Sequence, residues 1–87
     1  MNNIIKIPKR FFEDHRDCCD EEATPKIIKE TKKHYFISRD DDQFWNLKSN
    51  CEYMIEAHSL GQEWYCSPQN FGLVMSARAT LKAIKEE

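Results

Sequence analysis

Cysteine and histidine are the residue types in this chain best suited to metal binding or covalent chemistry. Structural zinc sites usually take their ligands from two pairs of residues that lie close together in sequence. The candidate ligands are His15, Cys18, Cys19, Cys51, His58 and Cys66. Only His15 and Cys18 approach such a pair. We therefore predict no metal and no cofactor and interpret these residues as small buried hydrophobic side chains and core imidazoles, although the sequence leaves a zinc site open.

A cysteine nucleophile needs a neighbouring base and backbone donors that stabilise an oxyanion. The candidate pair is Cys66, just before a predicted helix start, with His58 upstream. The chain has only two glycines, and we find no active-site motif. We predict that the protein is not an enzyme.

Three consecutive aspartates, Asp40 to Asp42, carry the oxygen ligands that Mg²⁺ and Ca²⁺ prefer. The segment lacks the glycine and the later glutamate of an EF-hand loop. Helix capping also explains it, because Asp40 as N-cap and Gln43 can form a capping box. The other two aspartates then lie at the positive end of the helix dipole. We favour the capping interpretation.

A basic and aromatic segment covers residues 26–36. Lysines bordering aromatic residues on a strand are typical of surfaces on which single-stranded bases stack. A solvated strand face, or lysines that prevent an edge strand from pairing, would have the same composition. The alternative function is therefore single-stranded nucleic-acid binding through Lys26–Phe36. The residues assigned to it are Lys26, Lys29, Lys32, Lys33 and Tyr35.

Tryptophan and tyrosine residues favour protein recognition, because exposed Trp and Tyr dominate binding hot spots. Trp64 and Tyr65 are predicted to lie in a loop between helices, and Trp45 lies off the apolar stripe of its helix. The loop aromatics could instead cover a small core. An acidic block upstream favours a basic partner. The predicted partner-binding residues are Trp45, Trp64, Tyr65, Asp20, Glu21 and Glu22.

The element that must position most of these residues is a central helix. Apolar residues recur at steps of three and four, which is helical spacing. They are Phe44, Leu47, Cys51, Met54, Ile55 and His58. Gly61 follows the last of them, where a left-handed residue commonly ends a helix. We predict a helix over about residues 41–59.

The flanking segments predict an α+β fold. A short strand is predicted over residues 3–7, because it contains Ile4, Ile5 and Ile7. A helix follows over about residues 8–18, with Pro8 at its first position. Residues 20–25 are predicted to form a loop. Residues 26–38 favour two short strands with a turn near residues 30–33, although Ile27 could open a helix. Ser67 and Pro68 begin the last helix.

The stripe of this last helix is Phe71, Val74, Ala77, Leu81 and Ile84. Together these elements predict a two- or three-stranded antiparallel sheet packed against two longer helices, plus a short N-terminal helix. We expect the two longer helices on one face of the sheet, and the N-terminal helix at an edge.

Length and charge limit the function classes. The 87 residues correspond to a single domain over 1–87 with one modest core. A net charge of −2 disfavours a duplex-binding protein. No secretory leader or bilayer-spanning run is visible, so we expect a cytoplasmic monomer or homodimer with reduced thiols and no membrane association.

Two short stretches resemble segments of small uncharacterised proteins encoded by phages and prophages. They are residues 10–15, Arg-Phe-Phe-Glu-Asp-His, and residues 76–84, Ser-Ala-Arg-Ala-Thr-Leu-Lys-Ala-Ile. The resemblance implies an accessory protein that binds and modulates one host or phage component. Anti-defence inhibitors, including anti-CRISPR proteins, are similar in size and charge. We therefore expect a non-enzymatic protein-binding accessory or inhibitor protein, with a larger host or phage complex as its partner.

Overall fold

The computed structural model describes residues 3–86, which form a three-stranded antiparallel sheet and four α-helices. The elements are β1 Ile4–Pro8, α1 Lys9–Cys18, β2 Lys29–Glu30, β3 His34–Ser38, α2 Phe44–Ser59, α3 Glu63–Cys66 and α4 Pro68–Lys85, with a 3₁₀ turn at Glu21–Ala23. The α+β class is confirmed, with two longer helices and a short N-terminal helix. None of the helices within this range is both long and apolar enough to cross a bilayer.

The sheet has the strand order β1-β3-β2. Ile5 pairs with Ile37 and Ile7 with Tyr35, and all four side chains are buried. Directly opposed residues share a sheet face, so these four form the inner face. The amide of Thr31 donates to the carbonyl of His34 over 2.8 Å, which closes the turn between β2 and β3. Two short strands joined by a turn were predicted here, and the helical alternative for this segment is wrong.

The N-terminal helix begins one residue later than predicted. Pro8 is the last residue of β1, with an extended ψ of 136°, and Lys9 is the first residue of α1. Phe11, Phe12 and His15 form the buried stripe of this helix. Cys18, the last residue of this helix, is exposed, so its prediction as a buried side chain is wrong.

The predicted capping box at the start of α2 is wrong. The helix begins at Phe44, and Gln43, at its N-cap, makes no side-chain capping bond. Asp41 accepts hydrogen bonds from the amide of Gln43 at 2.9 Å and from the amide of Lys26 at 3.0 Å. Its carboxylate therefore holds a turn before the helix and ties it to a distant loop. The predicted glycine ending is confirmed, since Gly61 has a φ of 79°.

The last helix begins as predicted. The hydroxyl of Ser67 accepts a hydrogen bond from the amide of Gln69, and Pro68 is the first helical residue. Its predicted apolar stripe is partly wrong, because Phe71 is exposed whereas Leu73 and Thr80 are buried. The row of residues that faces the core is displaced toward Leu73.

Helix α4 is the helix on which the other elements pack. This helix contacts β1, α1, α2 and α3, whereas the main contacts of α2 are with α4 and α3. The expectation that both long helices cover the sheet directly therefore needs correction: α4 covers β1, and α2 packs on α4. The apolar core runs through all three layers and includes Ile7, Phe12, Val74 and Leu47.

Candidate binding surface

One face of α2 presents apolar side chains to solvent. Trp45, Tyr53 and Leu60 are 62%, 54% and 71% exposed. They are spaced eight and seven residues apart, so they follow one stripe along the helix and its C-terminal end. Trp45 and Tyr53 are about 12 Å apart along the helix axis, from a rise of about 1.5 Å per residue. Leu47, Cys51 and Met54 are buried and lie on the other side of the helix.

The short helix α3 adds two aromatic rings beside this stripe. The Tyr53 and Tyr65 rings meet edge to face with centroids 5.8 Å apart, and the Trp64 and Tyr65 rings do so at 4.8 Å. Tyr65 is half-buried, whereas Trp64 is 56% exposed. Burial, followed by the nearby Tyr53, raises the pKa of the Tyr65 phenol. Tyr65 therefore supports the two exposed rings, Tyr53 and Trp64, on either side.

Hydrogen bonds fix the backbone that carries these rings. The ring Nδ1 of His58 lies 3.0 Å from the carbonyl oxygen of Tyr65, and the amide nitrogen of the Asn70 side chain donates to the carbonyl of Trp64 at 2.8 Å. These bonds satisfy carbonyl groups at the end of α3, which is only one turn long. We call the surface formed by Trp45, Tyr53, Leu60, Trp64 and Tyr65 the aromatic surface.

The placement of Trp64 and Tyr65 corrects the sequence interpretation in one respect. They were predicted to lie in an irregular loop, but they belong to α3. The reason is local: the amide of Cys66 donates to the carbonyl of Gln62 at 3.0 Å and closes one helical turn. The two aromatic residues are consequently held at a fixed spacing next to α2.

The predicted acidic residues lie near the Trp45 end of the aromatic surface. The side-chain amide of Asn46 donates to the carbonyl of Ala23 at 3.0 Å, which attaches the acidic 3₁₀ turn to the first turn of α2. Glu21 and Glu22 line a shallow cleft together with the three aspartates at positions 40–42. Asp20 immediately precedes this turn. The structure thus places the six predicted partner-binding residues around α2.

The aromatic surface is bordered by carboxylates. Glu52, Glu56 and Glu63 are exposed on α2 and α3, and residues 49–77 contain no lysine or arginine. Arg10 reaches the region from α1, where its guanidinium donates to the carbonyl of Gln69 at 3.3 Å. The exposed charges of α2 and α3 are therefore the three glutamates and Lys48, which lies one turn after Trp45, so negative charge predominates toward the Tyr53 and Trp64 end.

Cys66 and His58, the residues considered for covalent chemistry, contact backbone carbonyl groups and not each other's side chains. The Cys66 thiol donates to the backbone carbonyl of His58 at 3.5 Å, while the imidazole of His58 contacts the carbonyl of Tyr65. Burial raises the pKa of the Cys51 thiol to about 12, so it is protonated at neutral pH. Across residues 3–86, no three His, Cys, Asp or Glu side chains are grouped so that they could hold a metal ion.

The predicted nucleic-acid segment is divided by the fold. Tyr35 is buried and donates from its hydroxyl to Glu13 at 3.2 Å, so its assignment to a stacking surface is wrong. Lys26 lines the acidic cleft beside Glu21 and Asp41. Lys29 lies on β2 over the ring of Phe36, with its ammonium nitrogen 5.6 Å from the centroid. Lys32 and Lys33 lie in the turn between β2 and β3.

Tyr53 and Leu60 were not assigned to a site from the sequence. Their spacing from Trp45 was the available signal, because residues seven and eight positions apart fall within one helix face about 100° wide. Phe36 was likewise passed over in favour of Tyr35. In a strand, neighbouring residues face opposite ways, and only the pairing partners determine which of them is outside.

Comparison with known protein families, with curated proteins and with solved structures finds no match for this chain. The functional argument therefore depends on the surfaces described above.

Proposed function

We propose that this is a non-enzymatic accessory protein that binds another protein through the aromatic surface. The observation that carries the proposal is the exposure of Trp45, Tyr53, Leu60 and Trp64 on α2, its C-terminal end and α3. Trp and Tyr rings bury large apolar areas when they contact a partner, and these residue types are enriched among binding hot spots. Single exposed apolar residues are common, but several large ones on one side of a domain support an interaction site.

The charge around the rings indicates the chemistry of the partner. Carboxylates border the aromatic surface at Glu52, Glu56 and Glu63, and the acidic cleft lies at its Trp45 end. Opposite charges at an interface accelerate encounter and select against wrong partners. The proposed partner surface is therefore apolar at its centre and basic at its rim. The resemblance to phage-encoded proteins adds the prediction that this partner belongs to a host or phage complex.

The test is affinity capture from host lysate with the tagged wild-type protein and with matched variants. Trp45→Ala and Trp64→Ala remove exposed rings at the two ends of the aromatic surface. We expect each to reduce capture of the specific partner by at least about tenfold, since hot-spot truncations cost about 2 kcal/mol or more. Ile28→Ala and Met75→Ala remove exposed apolar side chains elsewhere on the protein and should leave capture unchanged.

A nuclease-treated lysate provides the second arm of this experiment. Capture that survives nuclease and depends on Trp45 and Trp64 supports the proposal. Capture that disappears with nuclease, that is equally sensitive to all four substitutions, or that enriches no protein contradicts it. Circular dichroism of each variant identifies any loss of capture that comes from unfolding.

A further inference from the structure

The solvent side of the sheet carries a second group of residues that lies outside the aromatic surface. Phe36 in the central strand pairs with Lys6 of β1 and with Lys29 of β2. Directly opposed residues share a face, so the two lysines flank the phenylalanine across all three strands. Adjacent strands are about 4.8 Å apart, which places the two lysine backbones about 10 Å from each other. Phe36 is half-buried, so part of its ring remains accessible.

The same face continues through His34 to the turn that precedes it, which carries Lys33. The pKa of His34 is lowered, first by burial and then by the charges of Lys6 and Lys33. The backbone carbonyl of Lys33 accepts a hydrogen bond from the amide of Lys9 at 3.0 Å, which places the turn beside the end of β1. We call the group Lys6, Lys29, Lys33, His34 and Phe36 the basic sheet face.

The three strands themselves contain one carboxylate, and Asp40 lies beyond the end of β3, hydrogen-bonded to Asn3. The strands β1 and β3, Ile-Ile-Lys-Ile-Pro and His-Tyr-Phe-Ile-Ser, contain none. The carboxylate in β2 is Glu30, which forms an ion pair with Lys9 at 2.7 Å. Glu30 is therefore paired, and the charged side chains of the basic sheet face itself are lysines, although the whole chain has a net charge of −2.

We infer that the basic sheet face binds single-stranded nucleic acid. An accessible aromatic ring on a sheet, flanked by cations, can stack a base while the cations contact neighbouring phosphates. Acidic peptides would use the lysines but have no planar group for the ring. This inference uses residues separate from the aromatic surface, so it stands or fails independently of the proposed protein partner.

Fluorescence anisotropy with labelled oligo(dT), oligo(U) and a duplex of mixed sequence tests the inference on the intact protein. With contacts from Lys6, Lys29 and Lys33, the plot of log K against log salt concentration should have a slope of about −2 for single strands. The double variant Lys6→Glu/Lys29→Glu should reduce the slope to about −0.7 and weaken binding at low salt by at least about tenfold. Phe36→Ala should weaken single-strand binding about tenfold, whereas Phe36→Tyr should retain it.

The matched control is Lys48→Glu/Lys82→Glu, which makes the same change of net charge on α2 and α4. We expect this variant to bind within about twofold of the wild type, because those lysines lie outside the basic sheet face. Equal weakening by both double variants would overturn the inference, since binding would then follow net charge alone. Absence of single-strand binding at low salt, equal affinity for the duplex, or tighter binding to anionic vesicles or poly-glutamate would also overturn it.

Discussion

His15 is a buried histidine with an incomplete set of hydrogen bonds. The side-chain amide nitrogen of Asn50 lies 2.8 Å from its Nδ1. Nε2 is buried and has no hydrogen-bond partner among the described residues. Burial lowers the pKa of this imidazole. Protonation would put a charge in the core.

This environment predicts that the protein loses stability in mild acid. In the unfolded chain His15 takes up a proton near its ordinary pKa of about 6.5, whereas the folded state resists protonation. Stability should therefore fall as pH decreases from about 6.5 until the lower folded-state pKa is passed. Urea unfolding at several pH values between 8 and 5 measures the effect. His15→Gln should flatten this dependence more than His34→Gln, and an equal slope in wild type and His15→Gln would contradict the assignment.

At the scale of elements, Arg39 connects the end of the sheet to the end of α4. Its guanidinium donates to the carbonyls of Ala83 at 3.1 Å, Ile84, and Glu86 at 2.9 Å. The last carbonyls of a helix have no partners within the helix, and a cation there also interacts favourably with the helix dipole. The Arg39 side chain thus caps the C-terminal end of α4 and links it to the end of β3.

Replacement of Arg39 should loosen this junction. Arg39→Met keeps much of the side-chain length but removes every donor, and we expect a loss of about 2 kcal/mol in the free energy of unfolding. Arg39→Lys keeps the positive charge and should recover part of that loss. Recovery should be incomplete, because an ammonium group cannot reach several carbonyls in the same planar arrangement. Chemical denaturation measures both values. Arg78→Met, an exposed position on α4, serves as the control, and a similar loss there would argue against a specific role for Arg39.

Elements with local signals were predictable from the sequence, and elements that depend on distant partners were not. Ser67 caps α4 through an amide two residues away, and Gly61 ends α2 through its own backbone angle. Asp40 was wrongly assigned as the N-cap of α2, because its carboxylate instead accepts a hydrogen bond from the side chain of the distant Asn3 at 3.0 Å. In α4, Phe71 and Leu73 both fit an apolar row. Only the packing of neighbouring helices selects Leu73.

In the candidate surfaces, too, local features were predictable from the sequence and features that depend on distant partners were not. Trp45 and Trp64 were identified by residue type, which needs no tertiary information. The segment Lys26–Phe36 was predicted with Tyr35 as its aromatic residue, but alternation in a strand defines two faces without showing which is buried. The pairing of Ile7 with Tyr35 turns Tyr35 inward, and the row from Lys6 to Lys29 leaves Phe36 outside.

At the scale of the whole molecule, α4 separates the two proposed binding surfaces. It packs on β1 on one side and on α2 and α3 on another. The inner face of the sheet, with Ile5 and Ile37, is buried in the core, so the basic sheet face lies on the far side of the sheet. The aromatic surface lies on the helical side. Neither group contributes a side chain to the other.

This separation predicts that the two surfaces act independently. Trp64→Ala should leave oligonucleotide affinity unchanged, and Lys6→Glu/Lys29→Glu should leave protein capture unchanged, each within about 0.5 kcal/mol, because distant sites without shared partners behave additively. A triple variant that combines them should lose both activities by the amounts measured separately. Anisotropy titrations and capture assays on all three variants measure this. If the Trp64→Ala variant is properly folded but loses oligonucleotide binding, the two surfaces are coupled through α4.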